Sequence, residues 1–401
     1  MASTQKTASI PSTVWILGFV SLLMDISSEM VQTLLPLYLV AGLGASAMMV
    51  GFIEGLSVAI ATVTKLFSGV ISDWTGRRKP LAVAGYGLAA ISKLIFPLAT
   101  TAGGIVMAKA IDRVGKGIRG TPRDALIADV TPPEIRGAAF GLRKSLDTVG
   151  GFVGPLIAIG LMLVTGGNII TIFWIAAIPA FIAVALLIFG IREPETPPKR
   201  PLARSKGFPR FADAGKLNAT VWIVIAVASI LTMARFSEAF LLLKAQEAGF
   251  AAAWVPITMV VMHAVYGLTA YPVGALSDRL GRKGLLAASL GFLIVADLVI
   301  AQSTTIYPFL AGIILWGLHM GFSQGILATL IADTAPGHLK GTAFGMFNVI
   351  TGLVMLVGNI GAGWLWESYG SSATFLAGAI LSAVALLSLA LLPGIAARKT
   401  G

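Results

Sequence analysis

Twelve long apolar runs, most of them joined by only a few residues, dominate the 401-residue chain. They fall near 13–40, 48–71, 80–101, 104–128, 138–164, 168–191, 219–243, 252–274, 284–302, 306–330, 341–366 and 371–393. A helix rises about 1.5 Å per residue, so about 20 apolar residues cross a hydrocarbon layer about 30 Å thick. Connections this short leave a soluble helical core no means of covering so many apolar faces. Charged residues make up 12% of the chain, against roughly a quarter in soluble domains. The pattern predicts an all-α membrane protein with twelve transmembrane helices.

The formal net charge is +11, and its placement says more than its size. Lys and Arg gather in alternate connections: Arg77, Arg78 and Lys79; Arg136; Arg279, Arg282 and Lys283; Lys340; and the tail Arg398–Lys399. The connections between them, "AGLGAS", "TTAG", "TGGN" and "QSTTI", hold neither. Short basic loops stay cytoplasmic. Both termini and the long middle connection are therefore expected in the cytoplasm, with the chain multi-pass in a bacterial inner membrane. The charge is a topology signal, and nucleic acid is not an expected partner. With no cysteine, disulfides and thiolate metal sites are excluded. Asp25 and Glu29 interrupt the first span, so it is expected to be retained rather than cleaved as a signal peptide.

Residues 192–217 carry five prolines and seven basic residues, the composition of a solvated linker. They divide the chain into 1–191 and 218–401, six spans each. The two parts repeat one another. "GVISDWTGRRK" begins at 69 and "GALSDRLGRKG" at 274; "ALIADVTPPEIRGAAFGLRKS" begins at 125 and "TLIADTAPGHLKGTAFGMFNV" at 329. Two like-oriented six-helix units are the plan of a rocking secondary transporter.

On these residues the chain resembles the major facilitator superfamily. The loop motif of that family, Gly-x-x-x-Asp-(Arg/Lys)-x-Gly-(Arg/Lys)-(Arg/Lys), matches Gly69, Asp73, Gly76, Arg77 and Arg78. It returns complete at Gly274, Asp278, Arg279, Gly281, Arg282 and Lys283. Trp74 stands where the family has a cation. The resemblance implies two pseudo-symmetric six-helix bundles around a central cavity and a conformational role for the loop motif. Plain topology determinants would explain its arginines alone.

The fourth run is the charged one. At about 100° per residue, Lys109, Asp112, Arg113, Lys116, Arg119, Arg123 and Asp124 fall within an arc of about 140°. One charge at the bilayer centre costs about 2.5–3.5 kcal/mol on insertion scales, so the stripe is expected to face a cavity or other helices. On the first run, Ser21, Asp25, Ser28, Glu29 and Gln32 share a face about 80° wide. In the family, an Arg on helix four followed four residues later by Gly is associated with proton coupling, and Arg113 and Gly117 match that pattern. Helices one and four line the cavity in the same family. Asp25 or Glu29 against Arg113 is the expected proton-coupling group; burial and a nearby cation act oppositely on a carboxylate's hold on its proton. The alternative is a permanent salt-bridge network that includes Glu54 and Lys65, with Lys109 and Arg123 pairing structurally.

On the fifth run, Arg143 and Asp147 form an i,i+4 pair. Gly150-x-x-x-Gly154-Pro155 resembles the start of the family's antiporter signature, whose closing glycines are replaced by Ala158 and Ile159. Close helix packing is the competing explanation. The second part has isolated polar points: Arg235 and Glu238, His263, Tyr266, Asp297, Trp316 with His319, and Asn348 with Thr351 and Asn359. No phosphate-cradling loop, nucleophile elbow or metal spacing is present in the sequence, so an enzyme is not expected. The functional expectation is proton-coupled secondary transport of a small organic solute, anionic or amphipathic, by alternating access, with drug or metabolite efflux by antiport as its leading form. No cofactor is expected beyond the coupling proton, and the lipid bilayer and one solute are the partners of a monomer. Arg113, Lys116, Gln32, Arg235, Glu238, Tyr266, His319 and Asn348 are the expected substrate-binding residues. Import of an organic acid or siderophore-like chelate is the alternative direction. A lipid translocator and a transport-inactive sensor are the other classes.

Overall fold

The computed structural model describes residues 10–75, 77–191, 211–323, 326–336 and 339–391. Gly76 and residues 192–210 therefore lie outside the described residues. Of Asp73, Gly274, Asp278 and Arg279 only the helical backbone is described. Among the described residues every regular element is helical. Helix α1 (Ser12–Gln32) continues through Leu35–Leu37 into a π-helical turn, Tyr38–Gly42. It is followed by α2 (Ala47–Thr75), α3 (Arg78–Ile95), α4 (Ala102–Val130), α5 (Arg136–Val164) and α6 (Ile169–Gly190). A short 3-10 turn, Phe211–Lys216, leads to α7 (Ala219–Glu247), which is broken between Ala234 and Ala239. The 46-residue helical stretch Ile257–Gln302 is interrupted at Gly281, where φ is 67° and ψ 162°. It thereby forms α8 (257–280) and α9 (281–302). The chain closes with α10 (Ile306–Ser323, continued by Ile326–Thr334), α11 (Lys340–Tyr369) and α12 (Ser371–Ser388).

Local chemistry sets several boundaries. Thr101, Asn168 and Asn218 each accept a backbone N–H of the first turn, capping α4, α6 and α7. Gly281 belongs to the second copy of the loop motif, and its left-handed backbone favours glycine at the break between α8 and α9. Lys79 Nζ donates to Ile188 O and Ile191 O at 2.7 and 2.6 Å, satisfying carbonyls that the end of α6 leaves open. Eleven helical stretches are long and apolar enough to cross a bilayer. The twelfth helix, α4, is 29 residues long and falls short of the apolar standard only because of its charges.

Within the first six helices, α1 packs on α5 and α6, α2 on α4, and α3 on α4 and α6. Within the last six, α7 packs on α11 and α12, and the α8–α9 pair on α10 and α12. Contact across runs mainly along α2–α11 and α5–α8. The apolar cores reveal the shape. At the end that carries the termini each set has its own core: Val14, Tyr86, Ile127 and Leu187 in one, Leu231, Leu286, Ile331 and Leu339 in the other. At the far end a single core takes Val31, Leu35 and Ile53 together with Phe236, Leu241 and Met259. Among the described residues the two sets share a core at the far end and keep separate cores at the terminal end.

Candidate transport site

Small residues on α5 set how α1 is presented. A methyl group placed on Gly150 would lie 2.9 Å from Asp25 Cβ, and one on Gly154 would lie 2.7 Å from Glu29 Cβ. Glycine at both positions lets the helices touch and puts the two α1 carboxylates at the crossing. The Gly150-x-x-x-Gly154 spacing therefore acts in packing.

The charges of α4 are distributed among its neighbours. Lys109 pairs with Glu54 of α2. Asp112 Oδ1 accepts from Lys93 Nζ of α3 at 2.9 Å, and its Oδ2 lies 3.6 Å from Arg113 Nε. Arg119 Nη2 is 3.9 Å from Asp25 Oδ1, and its guanidinium lies over the Tyr86 ring at 4.7 Å. Arg123 donates to Ser21 Oγ at 3.0 Å and pairs with Asp124 at 3.1 Å. Arg143 bridges Asp124 at 3.3 Å and Asp147 at 3.0 Å. The stripe thus faces other helices, and most of it is locked in pairs. Gly117 sits where α2 and α4 meet: a methyl there would come within 2.5 Å of Thr64 Cβ.

The expected pair between Arg113 and Asp25 or Glu29 is not formed. Arg113 is only 8% exposed. Asp112, itself held by Lys93, is its ion-pair partner, while Arg119 takes Asp25. Lys93 escaped the sequence reading, although a lone cation in the apolar "AISKLIF" signals a buried partner. Two groups remain: half-buried Glu29 and exposed Lys116, neither in an ion pair among the described residues.

The break in α7 carries the main charged group of the last six helices. Arg235 Nη2 and Glu238 Oε1 lie 3.6 Å apart, their side chains 34% and 41% exposed. The irregular backbone is held by Asn359 of α11, whose Oδ1 accepts the Ser237 N–H at 2.7 Å. Gln32 and Asn348 are half-buried on α1 and α11. Tyr266 is 6% exposed and belongs to the shared far-end core. His319 is placed differently from expectation. It is fully buried in the α9–α10 contact, with Nδ1 2.8 Å from Ser289 Oγ and 3.0 Å from Ser289 O. Trp316 beside it packs on Phe236 at 5.7 Å. Both belong to the packed interior of the last six helices, away from the cavity wall.

The loop motifs have partners that the sequence comparison did not reveal. Arg78 donates to Ser72 Oγ at 2.7 Å and lies 3.6 Å from Asp129 Oδ2. Arg282 pairs with Asp333. Asp129 and Asp333 occupy the same place in the second repeated segment ("LIAD" in both copies), so each copy of one repeat grips its own copy of the other.

Comparison with known proteins agrees with this architecture. The model of the Major Facilitator Superfamily matches residues 17–358 and 245–400, and the chain belongs to that family of transporters. It is 29% identical to an uncharacterised MFS-type transporter of Methanocaldococcus jannaschii, over 96% of each chain. It is 27% identical to the inner membrane transport protein YajR of Escherichia coli, over 92% of this chain and 81% of that one. It is also 27% identical to the multidrug resistance protein MdtH of Photorhabdus laumondii, over 88% and 86%. Among solved structures, the nucleoside transporter NupG shares the fold with a TM-score of 0.77 at 17% identity, over 95% of this chain and 99% of that one. The human organic anion transporter TETRAN does so with a TM-score of 0.67 at 16% identity, over 94% and 98%.

Proposed function

We propose that the protein moves a small organic solute, anionic or amphipathic, in exchange for protons by alternating access of its central cavity. One observation carries the reading: Glu29 and Lys116 stand on the α1–α4 wall without ion-pair partners among the described residues, whereas every other charge of α4 is paired. An unpaired carboxyl group can gain or lose a proton without breaking an existing ion pair. Lys116, with Arg235 opposite, offers positive charge to a solute. Closure at the far end and separation at the terminal end describe one extreme of a rocking cycle. By the basic-loop rule the open end faces the cytoplasm of a bacterial cell. Relatives named for multidrug resistance and organic anion transport support export of an amphipathic or anionic compound.

The test begins with thermal-shift screening of organic acids, chelates and cationic drugs against the purified protein, because ligands of the native state raise its melting temperature. Compounds that do so are then followed in proteoliposomes under an imposed pH gradient. Glu29→Gln is expected to abolish gradient-driven accumulation while solute exchange at equal pH persists. Accumulation at the wild-type rate in that variant would sink the assignment. Uptake toward the terminal side, in place of export, would establish the import direction.

A further inference from the structure

His263 of α8 meets α5 beside the glycines that receive the α1 carboxylates, and nothing in the reading so far uses it. Its Nδ1 lies 3.0 Å from Met259 O. A carbonyl only accepts, so that nitrogen carries the hydrogen and Nε2 is the free one. The ring rests on Gly151 of α5: a methyl placed there would lie 3.5 Å from both Nε2 and Cδ2. Gly150, Gly151 and Gly154 together therefore bring three helices to one place. Gly150 receives Asp25, Gly154 receives Glu29, and Gly151 receives His263. Glu29 belongs to the first six helices and His263 to the last six. The His263–Gly151 contact lies on the α5–α8 seam, where Gly267 also meets Thr148.

We propose that His263 is a coupling residue that shares the transported proton with Glu29 across the α5–α8 seam, so that proton occupancy and the relative position of the two helix sets change together. This rests on the proton-coupled reading above. In this state the imidazole and the Glu29 side chain both rest on the α5 glycines, one turn apart. Movement of α8 against α5 carries Nε2 away and leaves Glu29 to Lys116. The other titratable groups on the helices that meet here are Asp25 on α1, Lys116 on α4, Lys144 and Asp147 on α5, Arg235 and Glu238 on α7, and Tyr266 on α8 itself. His319 on α10, the helix packed behind α8, is engaged with Ser289. An imidazole is the side chain suited to gain and lose charge between about pH 5 and 8.

The natural chain has no cysteine, so two spin labels can be placed uniquely in the full-length protein. Trp74→Cys, at a position 83% exposed, and Lys340→Cys, also at an exposed position, mark the terminal end of the two helix sets. In nanodiscs titrated from about pH 5 to 8, the label-to-label distance distribution of the parent is expected to shift between two populations. His263→Asn keeps a donor at the Nδ1 position and removes Nε2. His263→Gln keeps a polar group near Nε2 that cannot take a proton. Both are expected to move the midpoint by about one pH unit or more, or to flatten the profile, as Glu29→Gln also does. The doubly substituted Glu29→Gln/His263→Asn protein is expected to behave like the more affected single variant. If either His263 variant superposes on the parent while Glu29→Gln flattens the profile, the inference is overturned and proton coupling stands. If the parent shows neither a pH response nor proton movement with solute in proteoliposomes, the proton-coupled reading falls and this inference falls with it.

Discussion

Lys93 is 1% exposed, and its ammonium lies 2.9 Å from Asp112 Oδ1. Neither ion could stay where it is without the other. Removing one partner of a buried pair costs about 3–5 kcal/mol, because the remaining charge is left uncompensated. Asp112→Ala is therefore expected to lower the melting temperature of the purified protein sharply. Adding Lys93→Met should restore part of the loss and not all of it, since Arg113 also leans on Asp112. Lys116→Gln should do the opposite: an unchanged melting temperature, with weaker binding of any anionic ligand found by the thermal-shift screen. Equal destabilisation by both substitutions would contradict the division into structural and cavity-facing charges.

Helix contacts depend on backbone approach more than on side chains. Where α3 crosses α4, a methyl on Gly115 would lie 2.6 Å from Gly85 O, and one on Gly85 would lie 2.6 Å from Arg119 N. Overpacking of this kind costs about 1–3 kcal/mol or more even where neighbours can shift, and here the neighbour is backbone. Gly115→Val is expected to remove the monodisperse peak in size-exclusion chromatography. Gly120→Val, at a position with nothing within 4 Å, should leave it in place. The spans themselves were legible in the sequence because the bilayer forces a length and a polarity on each of them. The charged face of α4 was legible because its cost in lipid rules out an outward orientation. What periodicity does not say is which neighbour a face will meet, and so His319 looked like a ligand group and Arg113 acquired the wrong partner. The break in α7 left no mark either. "MARFSEAF" contains neither glycine nor proline, and the irregular backbone is held by Asn359, 122 residues from Ser237.

The shape of the whole molecule follows from where the cores merge. Val31, Leu35 and Ile53 share one apolar cluster with Phe236, Leu241 and Met259, and among the described residues no such cluster joins the two sets at the terminal end. The far-end seam is again made with glycine. Methyl groups on Gly51, Gly55 and Gly363 would come within 2.0 Å of Asn359 O, 2.6 Å of Leu356 Cα and 2.5 Å of Ala47 O. Gly55→Val should act as a wedge that opens this end. Ile53 is 1% exposed in the shared core, so Ile53→Cys is expected to react slowly with a maleimide in the otherwise unchanged chain. With Gly55→Val added, the reaction should accelerate about tenfold or more, the effect of a shift of about 1.4 kcal/mol in the opening equilibrium. An unchanged rate would mean that the seam does not govern access.

The far-end seam and the side chains proposed to meet solute are different residues: Gly51, Gly55, Leu356 and Gly363 on the seam, Lys116 and Arg235 for the solute. On that proposal, cargo preference can be redrawn by exchanging Lys116 and Arg235, while the valve that governs which side is open is inherited untouched.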